Sequence, residues 1–371
     1  MRTRGAIIRQ PPAKYEVVDM ELDDPRAGEL RVKMVAAGLC HSDEHIASGD
    51  LPVQTYPFAG GHEGAGIVDS VGPNTIGFAP GDKVVFCFIP ACGRCTWCAT
   101  GRQNLCDLGA ALLSGARWTD GSYRLHLDDG TPVAQMCGIS TFSEYTTVAI
   151  ESAVKVPAHT PLETACLLGC GVGTGWGASV NTARVRPGDT VIVMGIGGIG
   201  ANAVQGAAHA GATNIIAVDP VAFKRDTAEA LGATHAVSDM QQATTLAQSY
   251  TNGQGAAATI ITVGLVEGEH ISQAFSSVRK DGVVVVVGLS RASDVGAPIP
   301  LTELTLSQKK VVGSLYGQSS PNADIPMLLD LYNAGHLKLD ELVTTRYGLD
   351  DIARGYEDMH AGKNIRGVLV F

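Results

Sequence analysis

Thr190-Val-Ile-Val-Met-Gly-Ile-Gly-Gly-Ile-Gly200 decides the fold. A β-branched run, Thr190 to Met194, enters a G-x-G-x-x-G turn and opens onto the small residues Ala201 to Ala210, the order strand, turn, helix. Gly195 permits the tight turn, Gly197 lets a backbone approach a pyrophosphate, and Gly200 lets helix and strand come close. Gly198 and Ile199 complete the first helical turn, whose free N–H groups suit an anion. Asp219 closes the next apolar run, about 20 residues beyond the glycines, where a carboxylate meets the adenosine ribose and repels a 2′-phosphate. NAD is therefore expected over NADP, with Lys224 reaching the same ribose. A glycine-rich turn without ligand is the competing reading, and the matching strand, helix and acid weigh against it.

Working outward, Ile215 to Val218, His235 to Val237, Thr259 to Val263, Val283 to Val287 and Val311-Val312 supply five more strands, each separated by helical stretches. Their continuous apolar character fits parallel strands covered on both faces, so the class is α/β with a doubly wound six-stranded sheet. Val287, at the end of the fifth strand, joins the cofactor-binding set. Glu269 to Lys280 reads as a helix, with Arg279 and Lys280 in its last turn before Gly282. Upstream of Gly171 the chain is rich in Gly, Pro and short strands such as Leu30 to Val35, Gly66 to Val71 and Lys83 to Phe88, an irregular β domain. Residues 315–371 carry no nucleotide signature and are expected to return to it.

The 371 residues suggest two domains. Hydrophobic residues at 45% and charged residues at 17% are an ordinary globular balance. A net charge of −10 repels phosphate backbones and anionic lipid, which argues against nucleic acid as a partner. Val283 to Leu289, the most apolar run, is far too short to span a membrane. Met1 to Gln10 lacks the apolar core of a secretion signal, so a cytoplasmic protein is expected.

Cys92, Cys95, Cys98 and Cys106 form a C-x2-C-x2-C-x7-C cluster, suited to wrapping one tetrahedral zinc. Four protein ligands leave no place for a substrate, so this metal is structural. Two disulfides are the alternative, which the C-x2-C spacing disfavours. Cys40, His62 and Cys170 each sit in a glycine-flanked segment and are candidates for a second, open site. Taken singly, each reads equally well as a core cysteine or a hydrogen-bonded histidine. Cys87 and Cys166 lie in apolar runs and are expected in the core, with Cys137 undecided.

Gly38-Leu-Cys-His-Ser-Asp-Glu-His45, Gly61-His-Glu63, Leu168-Gly-Cys-Gly171 and Asn364-Ile-Arg-Gly-Val-Leu-Val-Phe371 resemble the zinc-dependent medium-chain alcohol dehydrogenases over nearly the whole chain. The resemblance implies a GroES-like catalytic domain at 1–171 and 315–371, with the zinc lobe at about 92–106. It also implies a Rossmann domain at 172–314. A catalytic zinc would be held by Cys40, His62 and Cys170, with Glu63 close behind it and Asp43 accepting from the His62 ring N–H. Two Zn2+ per chain and NAD(H) are the implied cofactors. The alcohol proton would leave through Ser42, the nicotinamide ribose and His45. Thr174 and Ile199 fall at positions facing the nicotinamide, and His41 and Arg366 at positions facing the pyrophosphate.

Within that family, Phe88-Ile-Pro-Ala-Cys-Gly-Arg-Cys95, Gln103 to Ala110, Gly169 to Gly177 and Asn202 to Ala210 resemble the actinobacterial nicotinoprotein branch, assayed with a nitrosodimethylaniline dye. This implies a primary-alcohol dehydrogenase whose NAD(H) stays bound and is recycled by an external carrier such as mycofactocin. The alternatives are an NAD-exchanging relative, including the glutathione-dependent formaldehyde type, and a noncatalytic nucleotide-binding protein. Leu108 to Met136, with Trp118, Tyr123 and His126, is expected as a surface loop, or else a cover for the active site. Trp97, Trp118, Phe142 and Leu112 are candidates to shape the alcohol pocket. A homodimer or homotetramer is implied, with Val311 to Leu315 as an edge for pairing.

Overall fold

Along Glu29–Gly38, Leu30, Val32 and Met34 point into the core while Lys33 faces solvent, and the closing stretch Ala36 to Gly38 is buried on both faces. That alternation, then its loss, marks where a half-exposed strand runs into the functional centre. The computed structural model describes residues 1–371. It divides into two compact units: Met1–Cys170 with Ser320–Ala334 and Leu339–Phe371, and Gly171–Ser319 with Gly335–Lys338.

The first unit begins with β1 (Arg2–Ile8), β2 (Glu16–Leu22), β3 (Glu29–Gly38), α1 (His41–Ser48), β4 (Phe58–Ala59), β5 (Gly64–Val71) and β6 (Lys83–Phe86). It continues with the short helix α2 (Thr96–Ala99), β7 (Leu125–His126), β8 (Pro132–Gln135), β9 (Tyr145–Ala149), β10 (Ala153–Val156) and α3 (Leu162–Ala165). Strands β1, β2, β7, β8 and β4 close a small barrel. Its inside is filled by Ile7, Met20, Leu22, Ala59, Leu125 and Val133.

The second unit alternates regularly: α4 (Gly171–Gly177), β11 (Thr190–Met194), α5 (Gly198–His209), β12 (Asn214–Val218), α6 (Ala222–Ala230), β13 (His235–Val237), α7 (Met240–Tyr250). Then come β14 (Ala256–Ile261), α8 (Gly268–Ser277), β15 (Val278–Val286), α9 (Leu301–Leu306) and β16 (Lys310–Gly313). The strands pair in parallel in the order β13-β12-β11-β14-β15-β16, the doubly wound arrangement expected of a Rossmann sheet. Ile192, Ile216, Phe275 and Val284 lie in its core.

The chain then returns with α10 (Pro321–Asn333), β17 (Val343–Tyr347), α11 (Ile352–His360) and β18 (Arg366–Val370). Strand β18 lies antiparallel to β3, completing a seven-stranded sheet in the order β10-β6-β5-β3-β18-β17, with β9 also on β3. The second unit extends through Ser319, past the expected end at residue 314. Asn181 donates to the Gly317 carbonyl at 3.0 Å, and the Ser319 hydroxyl to that of Gly173 at 3.2 Å, which fastens this stretch to α4 and its continuation.

Two local expectations are corrected. Helix α8 stops at Ser277, so Arg279 and Lys280 lie in extended chain: Val278 already pairs with Ala256, and strand formation takes over from the helical C-terminus. The expected surface loop 108–136 is not irregular throughout, because β7 and β8 near its end form a hairpin in the barrel wall. Arg124, fully buried, makes a paired contact with the Glu29 carboxylate at 2.8 Å and 2.8 Å. Arg117, also buried, donates to the Gly138 carbonyl at 2.6 Å and lies 3.6 Å from Glu29. Burial pulls the Arg117 guanidinium down to about 10.

Candidate metal centres and dinucleotide site

Sheet register brings two ligand-bearing segments together. Ala37 of β3 pairs with Gly64 of β5, and the Gly38 N–H donates to the Glu63 carbonyl at 3.0 Å. Cys40 leaves β3 in extended conformation as the residue before α1, and His62 precedes β5. The backbone at Gly61 has φ +91°, and a side chain there would put its Cβ 2.5 Å from the Phe142 nitrogen, so the approach to His62 needs glycine. Cys170 arrives at the end of the turn Cys166–Gly169.

The sulfurs of Cys40 and Cys170 and one ring nitrogen of His62 lie within 4.8 Å of one another. All three residues are buried. His62 Nε2 is 3.3 Å from Cys170 Sγ, and its Nδ1 is 3.1 Å from Asp43 Oδ2. The other Asp43 oxygen accepts the Gly61 N–H at 2.9 Å, so one fully buried carboxylate fixes both the ring and the backbone that carries it. A proton held on Nδ1 leaves the Nε2 lone pair facing the two sulfurs. The Cys40 thiol is pushed well below its usual value, first by hydrogen bonding to Cys170 and then by His62 and Arg366. Burial lowers His62, but Asp43 and Cys40 outweigh it and leave the ring well above its usual value. Two sulfurs, that of Cys40 acidified, and an oriented imidazole are a zinc donor set, and three protein ligands leave a coordination position open.

Glu63 directly follows His62 in the chain. Its fully buried carboxylate forms an ion pair with Arg366, itself 5% exposed. Arg366, expected at the pyrophosphate, thus has a carboxylate of its own unit as its partner. His41 is exposed on α1, Ser42 Oγ lies 3.8 Å from Cys40 Sγ, and buried His45 lies 3.4 Å from Asp50.

Cys92, Cys95, Cys98 and Cys106 also converge within 4.8 Å, and none of the nine cysteines is in a disulfide. Backbone N–H groups point at the sulfurs: Cys95 to Cys92 at 3.4 Å, Cys98 to Cys95 at 3.4 Å, and Cys92 to Cys106 at 3.5 Å. Donation from the Cys98 and Asp107 N–H groups brings the Cys95 thiol down to about 6. Burial instead raises Cys87 and Cys137 to about 12, and Cys166 further, as suits inert core thiols.

In the second unit, Gly195 has φ +92° and a side chain there would reach 2.9 Å from the Val263 nitrogen. A methyl group on Gly200 would overlap the Gly195 carbonyl oxygen, whereas the space beside Gly197 is open. Helix α5 therefore starts at Gly198, with the glycine turn clear of side chains. Asp219 is buried, and its two oxygens accept N–H groups of Ile196 at 2.8 Å and Val221 at 2.9 Å, which ties the acid to the turn. Ile199, Lys224 and Val287 are half-buried. Thr174 Oγ1 is buried without a partner, as a hydroxyl reserved for a cofactor would be.

Sequence reading missed the Glu63–Arg366 pair and the buried arginines. Of the pocket candidates, Phe142 is fully buried in the core, and Trp97 is 38% exposed with Arg102 over its ring.

Residues 26–158 match the alcohol dehydrogenase GroES-like domain, and residues 198–334 match the zinc-binding dehydrogenase family. The chain is 50% identical over 370 residues to an NDMA-dependent alcohol dehydrogenase of Amycolatopsis methanolica, covering 100% of this chain and 99% of the relative. Alcohol dehydrogenase B of Mycobacterium tuberculosis is 47% identical over 369 residues, covering 100% and 98%. A crystal structure of an alcohol dehydrogenase zinc-binding domain protein from Burkholderia ambifaria superposes with TM-score 0.92 at 34% identity, covering 100% and 99%. These likenesses set aside the noncatalytic reading: the protein is an oxidoreductase acting on alcohols, with Zn2+ and NAD(H) as cofactors. The chain belongs to the zinc-dependent medium-chain alcohol dehydrogenases, close to their nicotinoprotein members.

Proposed function

We propose that this enzyme oxidises primary alcohols to aldehydes with an NAD(H) that stays bound between turnovers and is recycled by an external, mycofactocin-like redox carrier. The convergence of buried Cys40, His62 and Cys170 carries the catalytic reading, and the NDMA-dependent relative supports the resident cofactor. In the first unit, Cys40, His62 and Cys170 hold the catalytic zinc, and Cys92, Cys95, Cys98 and Cys106 the structural one. In the second, Thr174, Gly195, Gly197, Gly198, Ile199, Gly200, Asp219, Lys224 and Val287 hold the dinucleotide.

When bound, zinc acidifies the alcohol hydroxyl and NAD+ accepts the hydride. The protein's own groups prepare that chemistry. Asp43 keeps the His62 proton on Nδ1, so Nε2 remains a donor. Arg366 offsets the charge of the fully buried Glu63. Ser42 and His45, the latter beside the 28% exposed Asp50, are the protein groups of the path by which the hydroxyl proton leaves for solvent.

The enzyme works in the cytoplasm, which the nine free cysteines support. It forms a homodimer or homotetramer, which the half-exposed edge strand β16 supports. No helix is long and apolar enough to cross a membrane.

The test is to denature freshly desalted protein by heat, assay the released nucleotide, and compare alcohol oxidation with dye alone and with NAD+ alone. Bound NAD(H) and turnover on dye without added NAD+ are expected. Nucleotide-free protein active only with added NAD+ would overturn the resident-cofactor reading and favour an NAD-exchanging relative. Metal analysis should find both clusters filled, two zinc ions per chain.

A further inference from the structure

We propose that Tyr15 is a positioning residue for the catalytic metal centre, clamping the two segments that carry Cys40 and His62. This rests on the reading that Cys40, His62 and Cys170 hold zinc. Tyr15 lies just before β2, far from the ligands in sequence, yet it is buried and its hydroxyl donates to the Asp43 carbonyl at 3.1 Å. That carbonyl belongs to the first turn of α1, directly after Cys40. The hydroxyl end of the ring also fills the space left by Gly60: a side chain there would bring its Cβ to 2.7 Å from both Tyr15 Cζ and its hydroxyl oxygen. Gly60 is two residues before His62, and its carbonyl accepts the Phe142 N–H at 3.2 Å.

The ring is held from two further directions. Tyr356 stacks on it at 5.5 Å with 19° between the planes, and Phe142 meets it edge-on at 5.6 Å and 86°. The Tyr356 hydroxyl is buried without a partner, so that contact is packing alone, whereas the Tyr15 hydroxyl is hydrogen-bonded. A phenylalanine would fill the same space with no polar group to desolvate. The hydroxyl at residue 15 therefore serves orientation: it sets the Asp43 main chain, and the Asp43 carboxylate sets the His62 ring and Gly61. Tyr15 touches neither metal nor substrate and acts through Asp43.

The experiment compares wild-type holoenzyme with Tyr15→Phe and Tyr15→Leu, following zinc release to a chelator and the absorption bands after Co2+ replacement of the catalytic metal. Tyr15→Phe should release the catalytic zinc about tenfold faster, the low end of the range for outer groups around a metal. It should shift the Co2+ bands and leave the four-cysteine release phase unchanged. Tyr15→Leu, which also removes the ring, should go further in the same direction; Tyr15→Phe carries the test should the leucine variant fail to fold. Wild-type release and spectrum in Tyr15→Phe, or equal acceleration of both phases, would overturn the proposal. A wild-type protein with only the four-cysteine phase would instead overturn the metal reading beneath it.

Discussion

Replacing Asp43 with asparagine keeps the shape of a fully buried side chain but removes one of its two acceptors. The carboxylate accepts the Gly61 N–H at 2.9 Å through one oxygen and faces His62 Nδ1 at 3.1 Å through the other. An amide has a single oxygen, so in either orientation its NH2 group meets one of these donors head-on. A buried donor left unpaired costs about 1–3 kcal/mol, roughly a 5- to 150-fold change in an equilibrium. If the amide oxygen stays on Gly61, the His62 proton loses its acceptor and Nε2 is no longer fixed as the donor toward the sulfurs. If it turns to His62, the Gly61 backbone is displaced, and with it the ring. Asp43→Asn should therefore weaken catalytic zinc binding by about 10- to 100-fold and lower kcat in parallel, with the structural zinc retained. Chelator competition followed by metal analysis, together with kcat at saturating alcohol and metal, measures both. A variant that holds both zinc ions as firmly as wild type and turns over at the same rate would refute the reasoning.

Other perturbations separate the remaining parts. Cys40→Ser should abolish alcohol oxidation while leaving circular dichroism and the four-cysteine zinc intact; activity at the original rate would contradict the ligand assignment. Cys95→Ser should lower the thermal unfolding temperature and reduce soluble yield, because zinc in small cysteine sites contributes on the order of 10 kcal/mol locally; an unchanged melting curve would contradict it. Gly200→Ala places a methyl group against the Gly195 carbonyl, so nucleotide released on heating should fall sharply while zinc content holds. Glu29→Gln removes the carboxylate that Arg117 and Arg124 share, leaving Asp120 beside Arg124, and should destabilise the first unit by about 3 kcal/mol, measured by denaturant titration.

What the sequence made legible follows the range of the interactions involved. The glycine turn, strand β11 and Asp219 are read together because a parallel strand buried on both faces is apolar throughout, and the turn chemistry lies within a few residues. The four-cysteine lobe is legible for the same reason: its ligands share one loop. Cys40, His62 and Cys170 lie far apart in the chain, and nothing local brings their sulfurs and imidazole together. Family resemblance pointed to them, and sheet register explains how the first two meet. Within the 108–136 segment the buried Arg117 and Arg124 were not legible, because the carboxylate that offsets them, Glu29, comes from a distant strand, β3. A hairpin signal was present in Asp129-Gly130, flanked by alternating Leu125 and Leu127 and by Pro132 to Gln135. The end of α8 was misplaced because cationic and glycine cues describe a free helix terminus, and the neighbouring strand β14 claims Val278 first.

The placement of β18 also has a bearing on biosynthesis. Val368 sits opposite Gly38, so the strand leading to Cys40 acquires this neighbour only after more than 300 further residues have been made. By then the residues of the inserted nucleotide-binding unit, Gly171–Ser319 and Gly335–Lys338, have all been made, so that unit can fold first. Completion of the surroundings of Cys40, His62 and Cys170 should consequently follow that of the four-cysteine loop, whose ligands all lie within one short stretch of chain.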